Sequence, residues 1–175
     1  MASVASTELE PSQPHEDSAW APPRWAAPTS VLLAVAGVGV STYLTIAHFS
    51  SSTLLACPET AAINCEKVTT SPQSAILGVP VALIGLVFFA VMVIVNLPRT
   101  WTRATRTLRL VRLTLASGGV AFVLYLIYTE LLTLHAICLW CTFAHALALS
   151  IFGVIVFSES LARPDLRASL PRTAR

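Results

Sequence analysis

Charge is scarce in this chain. Only 11% of its 175 residues are Asp, Glu, Lys or Arg, less than half the roughly 25% usual in soluble globular proteins, while 55% are apolar. A soluble fold has too little polar surface to work with here, and the composition is that of a membrane protein. Lysine occurs once, at Lys67, and the net charge of +2 is small and scattered, which argues against a nucleic-acid partner. No basic region precedes the first apolar stretch and no A-x-A-like site follows it, so a cleaved signal peptide is not expected and the first span should stay in the mature protein. C-x-x-C-H is also missing, because Thr142 follows Cys141; covalent c-type haem is therefore not indicated.

What the sequence has instead is apolar runs. Thr29–His48 is 20 residues without a formal charge, about 30 Å of helix, the thickness of a bilayer core. Val79–Leu97, Leu113–Leu134 and Ala136–Phe157 supply three more, the third run interrupted by Glu130 and the fourth containing His145. All seven glycines lie in these runs or at their ends, as expected where helix backbones approach closely. The expected fold is an all-α membrane protein, a four-transmembrane-helix bundle with a long extracytoplasmic loop between helices 1 and 2. Residues 1–28, acidic and rich in proline, read as a disordered cytoplasmic tail, 29–158 as the membrane domain and 159–175 as a second cytoplasmic tail.

Basic residues set the orientation. Arg24, the five arginines between the second and third runs (Arg99, Arg103, Arg106, Arg109, Arg112) and the four after the fourth run (Arg163, Arg167, Arg172, Arg175) fall on one side, and Lys67 alone on the other. The positive-inside rule then makes both termini cytoplasmic and the protein a multi-pass component of the inner or plasma membrane. The loop Phe49–Gly78 and the turn Thr133–Ile137 face outward.

All four cysteines lie on that outer side, as Cys57-x7-Cys65 in the loop and Cys138-x2-Cys141 where the fourth run begins. An even number in two local pairs, in a compartment that permits disulfides, reads as two disulfides or dithiols. C-x-x-C at a helix start sets the first sulfur near unsatisfied N–H groups and the positive end of the helix dipole, which favours a thiolate. Its short ring is typical of labile, catalytic disulfides. Cys57 and Cys65, separated by polar residues such as Glu59, Thr60 and Asn64, look accessible to a soluble protein. A disulfide that only pins the loop is the alternative for this pair alone, and a four-cysteine zinc site competes poorly in an oxidising compartment.

Asn64-Cys65-Glu66-Lys67-Val68 with Thr69–Ser71, then Ile76-Leu77-Gly78-Val79-Pro80, then Cys138-Leu139-Trp140-Cys141 together resemble the vitamin K epoxide reductase family in its bacterial form, over residues 29–158. The resemblance implies a four-helix bundle around a quinone (menaquinone or ubiquinone, as substrate), with the C-x-x-C beside it and the loop pair relaying electrons from a thioredoxin-like (DsbA-like) protein. Cys138 would exchange with the loop pair and Cys141 would lie nearest the quinone. Many bacterial relatives carry a fused thioredoxin-like domain; about 18 residues follow the fourth run here, so the partner is expected to act in trans. His145 stands where animal members have a quinone-contacting tyrosine, and Ser74 stands near a quinone-binding asparagine of the family. A quinone contact or a helix-to-helix hydrogen bond are the two readings of His145.

The expected function is that of a membrane thiol:quinone oxidoreductase that reoxidises an extracytoplasmic disulfide-forming protein. The rival is a non-catalytic assembly or transport subunit with a disulfide-braced outer loop. A four-span oxidase of the DsbB type places its C-x-x-C in the first outer loop, the reverse of the order here. Glu130 is expected to reach headgroup water near the outer end of the third run, with relay of protons to the reduced quinone as the alternative; His135 is expected to be solvated in the outer turn, and Trp25, Trp101 and Trp140 to anchor the chain at membrane interfaces.

Overall fold

The computed structural model describes residues 20–50, 56–58, 60, 62–102 and 105–164. The expected tail over 1–19, the C-terminal residues 165–175, and Glu59 and Arg103 lie outside them. A two-residue strand, β1 (Trp20–Ala21), precedes helix α1 (Ala26–Ser50). After α1 come α2 (Cys65–Thr69), a 3-10 turn (Pro72–Ser74) and the strands β2 (Ala75–Ile76) and β3 (Val79–Pro80). Then follow α3 (Val81–Val95), α4 (Pro98–Thr102), α5 (Arg106–Tyr128) continued as a π-helix over Thr129–Leu134, α6 (Leu139–Leu161) and β4 (Arg163–Pro164).

Three helical stretches, Ala26–Ser50, Arg106–Leu134 and Leu139–Leu161, are long and apolar enough to cross a membrane. The second apolar run forms only the 15-residue α3, about 22 Å of helix. Pro80 stands at its start, and its end is closed by Asn96, whose Nδ2 donates to Met92 O at 2.8 Å. Pro98 then begins α4. α1 packs mainly on α3 and α6, and α5 on α6. Large apolar side chains such as Leu32, Val35, Val87, Ile94, Leu124 and Phe143 point outward, a surface suited to lipid and not to water.

β1 pairs antiparallel with β4, and Ala26, Ala27 and Trp101 form one small buried cluster. The start of α1, the end of α6 and the α3–α5 connection therefore share one end of the bundle, and the cysteine segments share the other. Trp20–Ala21 and Arg163–Pro164 thus pair with each other beyond the two ends of the expected membrane domain. α5 also starts earlier than the expected span, because Thr105 caps it with its Oγ1 accepting from Leu108 N–H at 3.4 Å. Arg106, Arg109 and Arg112 consequently lie on the helix. Arg112 is wholly buried, its guanidinium carbon 3.9 Å from the centroid of the Trp101 ring and its Nη2 donating to Val95 O at 3.1 Å. Trp101 is therefore an internal platform for a cation and not an interface anchor.

Candidate active site

Two short backbone devices bring the four cysteines together. Ile63 and Ile137 form a parallel bridge, in which Asn64 N–H donates to Ile137 O at 3.1 Å and Ile137 N–H to Ala62 O at 2.9 Å. Asn64 then caps α2, its Oδ1 accepting from Lys67 N–H at 2.8 Å, so Cys65 opens α2 right after the bridge. On the other strand of the bridge, Cys138 caps α6, its Sγ accepting from Cys141 N–H at 3.2 Å. Cys65 and Cys138 are 1% and 0% exposed and belong to one buried cluster.

Cys57 and Cys65 are joined as a disulfide, while Cys138 and Cys141 are free thiols. The loop pair is less open than its polar sequence suggests: Cys57 is half-buried and Cys65 is covered. Cys57 is held in place through its neighbour Ala56, whose N–H donates to Tyr43 OH at 3.0 Å and whose carbonyl accepts from Trp140 Nε1 at 3.0 Å. Tyr43 and Trp140 meet edge to face, 4.8 Å between centroids. Trp140 is thus a clasp for the loop and not an interface anchor, whereas Trp25 is exposed against Phe157.

Cys138 lies just outside α6, before the helical span begins. Its thiol is held below the ordinary cysteine range, chiefly by a hydrogen bond from the Cys141 thiol; burial opposes this, and the N–H groups of Cys141 and Trp140 reinforce it. One turn further, Cys141 lines a half-open cavity of about 370 Å³ between α1, α3, α5, α6 and the α2 and 3-10 segments, within the range of small-molecule sites. Its wall is apolar, built from residues such as Leu44, Phe88, Phe89 and Phe122, with few polar groups, among them Ser74, Glu130 and His145. Gly119 lets the Phe88 ring approach; a Cβ there would come within 2.5 Å of it.

His145 is 7% exposed and faces the cavity, and among the described residues no hydrogen bond reaches its ring. Ser74, half-buried at the end of the 3-10 turn, lines the same cavity. His135 is exposed, as expected, and its backbone is left-handed at φ 49°, closing the π-helix.

Glu130 departs most from expectation. It is 6% exposed and lines the cavity, and its backbone carbonyl accepts from Ala136 N–H at 3.2 Å. The π-helix rotates it inward, away from headgroup water. A charge inside an apolar run was the signal for this, since such residues usually face a bundle interior.

Membrane-length helices around an apolar cavity, with a dithiol on its wall and a disulfide loop bridged to that dithiol, define a membrane-embedded protein built around paired cysteines. The profile of the Vitamin K epoxide reductase family matches residues 28–156, and the chain belongs to that family. Its members are membrane-integral oxidoreductases that use quinones. A search of curated proteins finds no match.

Proposed function

We propose that this protein is a thiol:quinone oxidoreductase that reoxidises an extracytoplasmic thioredoxin-like, disulfide-forming protein and reduces a membrane quinone. The observation that carries the reading is the placement of one dithiol between two environments: Cys138 abuts the disulfide loop, and Cys141 lines a cavity of quinone-head size and apolarity.

The thioredoxin-like partner attacks Cys57, the more exposed sulfur of the loop disulfide, and leaves with its own cysteines joined. Cys65, now a thiolate, attacks Cys138 in the Cys138–Cys141 disulfide and releases Cys141. Cys57 then attacks Cys65, which restores the loop disulfide and leaves Cys138 and Cys141 reduced. A quinone in the cavity supplies the two-electron acceptor. His145 and Ser74 donate hydrogen bonds to its oxygens, and the aromatic wall excludes water.

α3 serves as the fourth crossing. The tails and the arginine-rich α3–α5 connection face the cytoplasm and the cysteines face outward. The meeting of β1 with β4 and the bias of basic residues both support this arrangement.

The test is quinone-dependent oxidation of a reduced thioredoxin-like protein by the purified full chain. Turnover is expected in the wild type and absent in Cys141→Ser. Turnover without quinone, or undiminished in Cys141→Ser, would overturn the proposal.

A further inference from the structure

Glu130 is a carboxyl group that the thiol relay above does not use, yet it lines the same cavity as the Cys141 end of the dithiol. Its backbone carbonyl accepts from Ala136 N–H at 3.2 Å, two residues before Cys138, and its side chain shares the cavity wall with Cys141 and His145. The chain distorts to put it there: the helix widens to a π-turn over Thr129–Leu134 and is closed by His135 in a left-handed conformation. Such π segments are frequent at functional sites. A carboxyl group this deep in an apolar wall is costly for packing alone.

We infer that Glu130 is a proton-transfer residue of this site, taking the Cys141 thiol proton and delivering it to a quinone oxygen. This rests on the thiol:quinone reading. Closing the Cys138–Cys141 disulfide breaks two S–H bonds, forms one S–S bond and releases two electrons and two protons. Both electrons go to the quinone. The Cys141 proton passes to the Glu130 carboxylate and on to one quinone oxygen, so Glu130 ends as it began. The Cys138 proton leaves to water at the loop end, and water supplies a proton to the second oxygen.

Among the described residues, the titratable groups facing the cavity with Glu130 are His48 from α1 and Cys141 and His145 from α6; α3 contributes none, and α5 none before the π-turn. Cys138 sits behind Cys141. Among the described residues no Asp, Lys or Arg lines the cavity, and Glu130 is the one carboxyl group on its wall.

Two readouts test this on the full-length protein. The first is alkylation of Cys141 by N-ethylmaleimide in a Cys138→Ser background without quinone. Glu130→Gln is expected to slow it about tenfold at neutral pH, with Glu130→Asp between, because the acceptor for the thiol proton is gone. Equal or faster alkylation in Glu130→Gln would overturn the inference, since it would mean that Glu130 acts on the sulfur only as a like charge or not at all. The second is dithiothreitol-driven quinone reduction with all four cysteines present. Glu130→Gln is expected to lower kcat at least tenfold, within the reach of general acid–base catalysis, with the quinone KM within about threefold; a fall in KM affinity alone overturns the inference. If Glu130→Gln does not fold, Glu130→Asp decides: a reduced kcat with a displaced pH profile supports the role, and a wild-type profile overturns it. Wild-type protein that fails to reduce quinone would instead count against the proposed function, while the alkylation result still stands on its own.

Discussion

Cys138 uses one sulfur for two purposes. It caps α6 by accepting the Cys141 N–H, and the same hydrogen bond, together with that from the Cys141 thiol, stabilises its thiolate. With Cys57 and Cys65 replaced by serine, ultraviolet titration should show the first thiolate forming below the free-cysteine value of about 8.5. Because the Cys141 thiol is the leading donor, Cys141→Ala should move that titration upward, so that less thiolate is present at neutral pH, and Cys141→Ser should move it less. A titration unchanged by Cys141→Ala would mean that the helix end alone sets the value. Arg112 is a different kind of residue: among the described residues its buried Nε and Nη1 have no hydrogen-bond partner, nor has Glu159 Oε1. A buried charge so incompletely paired is often replaceable by an apolar side chain of similar size without loss. Arg112→Met is therefore expected to stay within about 1 kcal/mol of the wild type, or above it, in thermal unfolding in detergent. A loss of about 3 kcal/mol or more, the usual result of breaking a buried pair, would show that the stacking on Trp101 and the Val95 hydrogen bond outweigh desolvation.

The elements that matter most are the shortest. A single parallel bridge between Ile63 and Ile137 and the Tyr43–Trp140 clasp on Ala56 hold the disulfide loop against the start of α6. Trp140→Phe keeps the ring and removes the N–H donor to Ala56. It should slow oxidation of a thioredoxin-like substrate about three- to tenfold while leaving quinone reduction by the pre-reduced protein unchanged; equal losses in both assays would place Trp140 in the quinone site instead. These devices explain where sequence reading stops. The C-x-x-C at a helix start and the apolar runs announce themselves through spacing and composition. The bridge joins residues more than 70 positions apart in a loop without strand pattern, and Trp140 looks like any indole at a membrane edge. The burial of Arg112 was hidden for a related reason: arginine next to an apolar run is normally a topological marker, and only the return of Trp101 beneath it makes it internal. Glu130 was half legible, since its place in an apolar run marked it as unusual but not which way a π-turn would face it.

For the whole molecule, Trp20–Ala21, Arg163–Pro164 and Trp101 gather at one end and the cysteines at the other. With Cys57 as the sole cysteine, an impermeant maleimide should label intact cells, while a cysteine introduced by Ala162→Cys in a cysteine-free chain should label only after lysis; the opposite pattern would invert the topology. The family match covers residues 28–156, so the cavity lining and both cysteine pairs fall within it. The central claim is that Cys138 and Cys141 together deliver two electrons to a quinone in the cavity. A single turnover tests it most directly: protein with the C-x-x-C reduced and the reductant removed is mixed with excess quinone, and quinol and free thiols are counted. One quinol per chain is expected, formed as both thiols disappear and the Cys138–Cys141 disulfide arises, with none from Cys141→Ser. Quinol formation that leaves both thiols free, or that proceeds equally in Cys141→Ser, would contradict it.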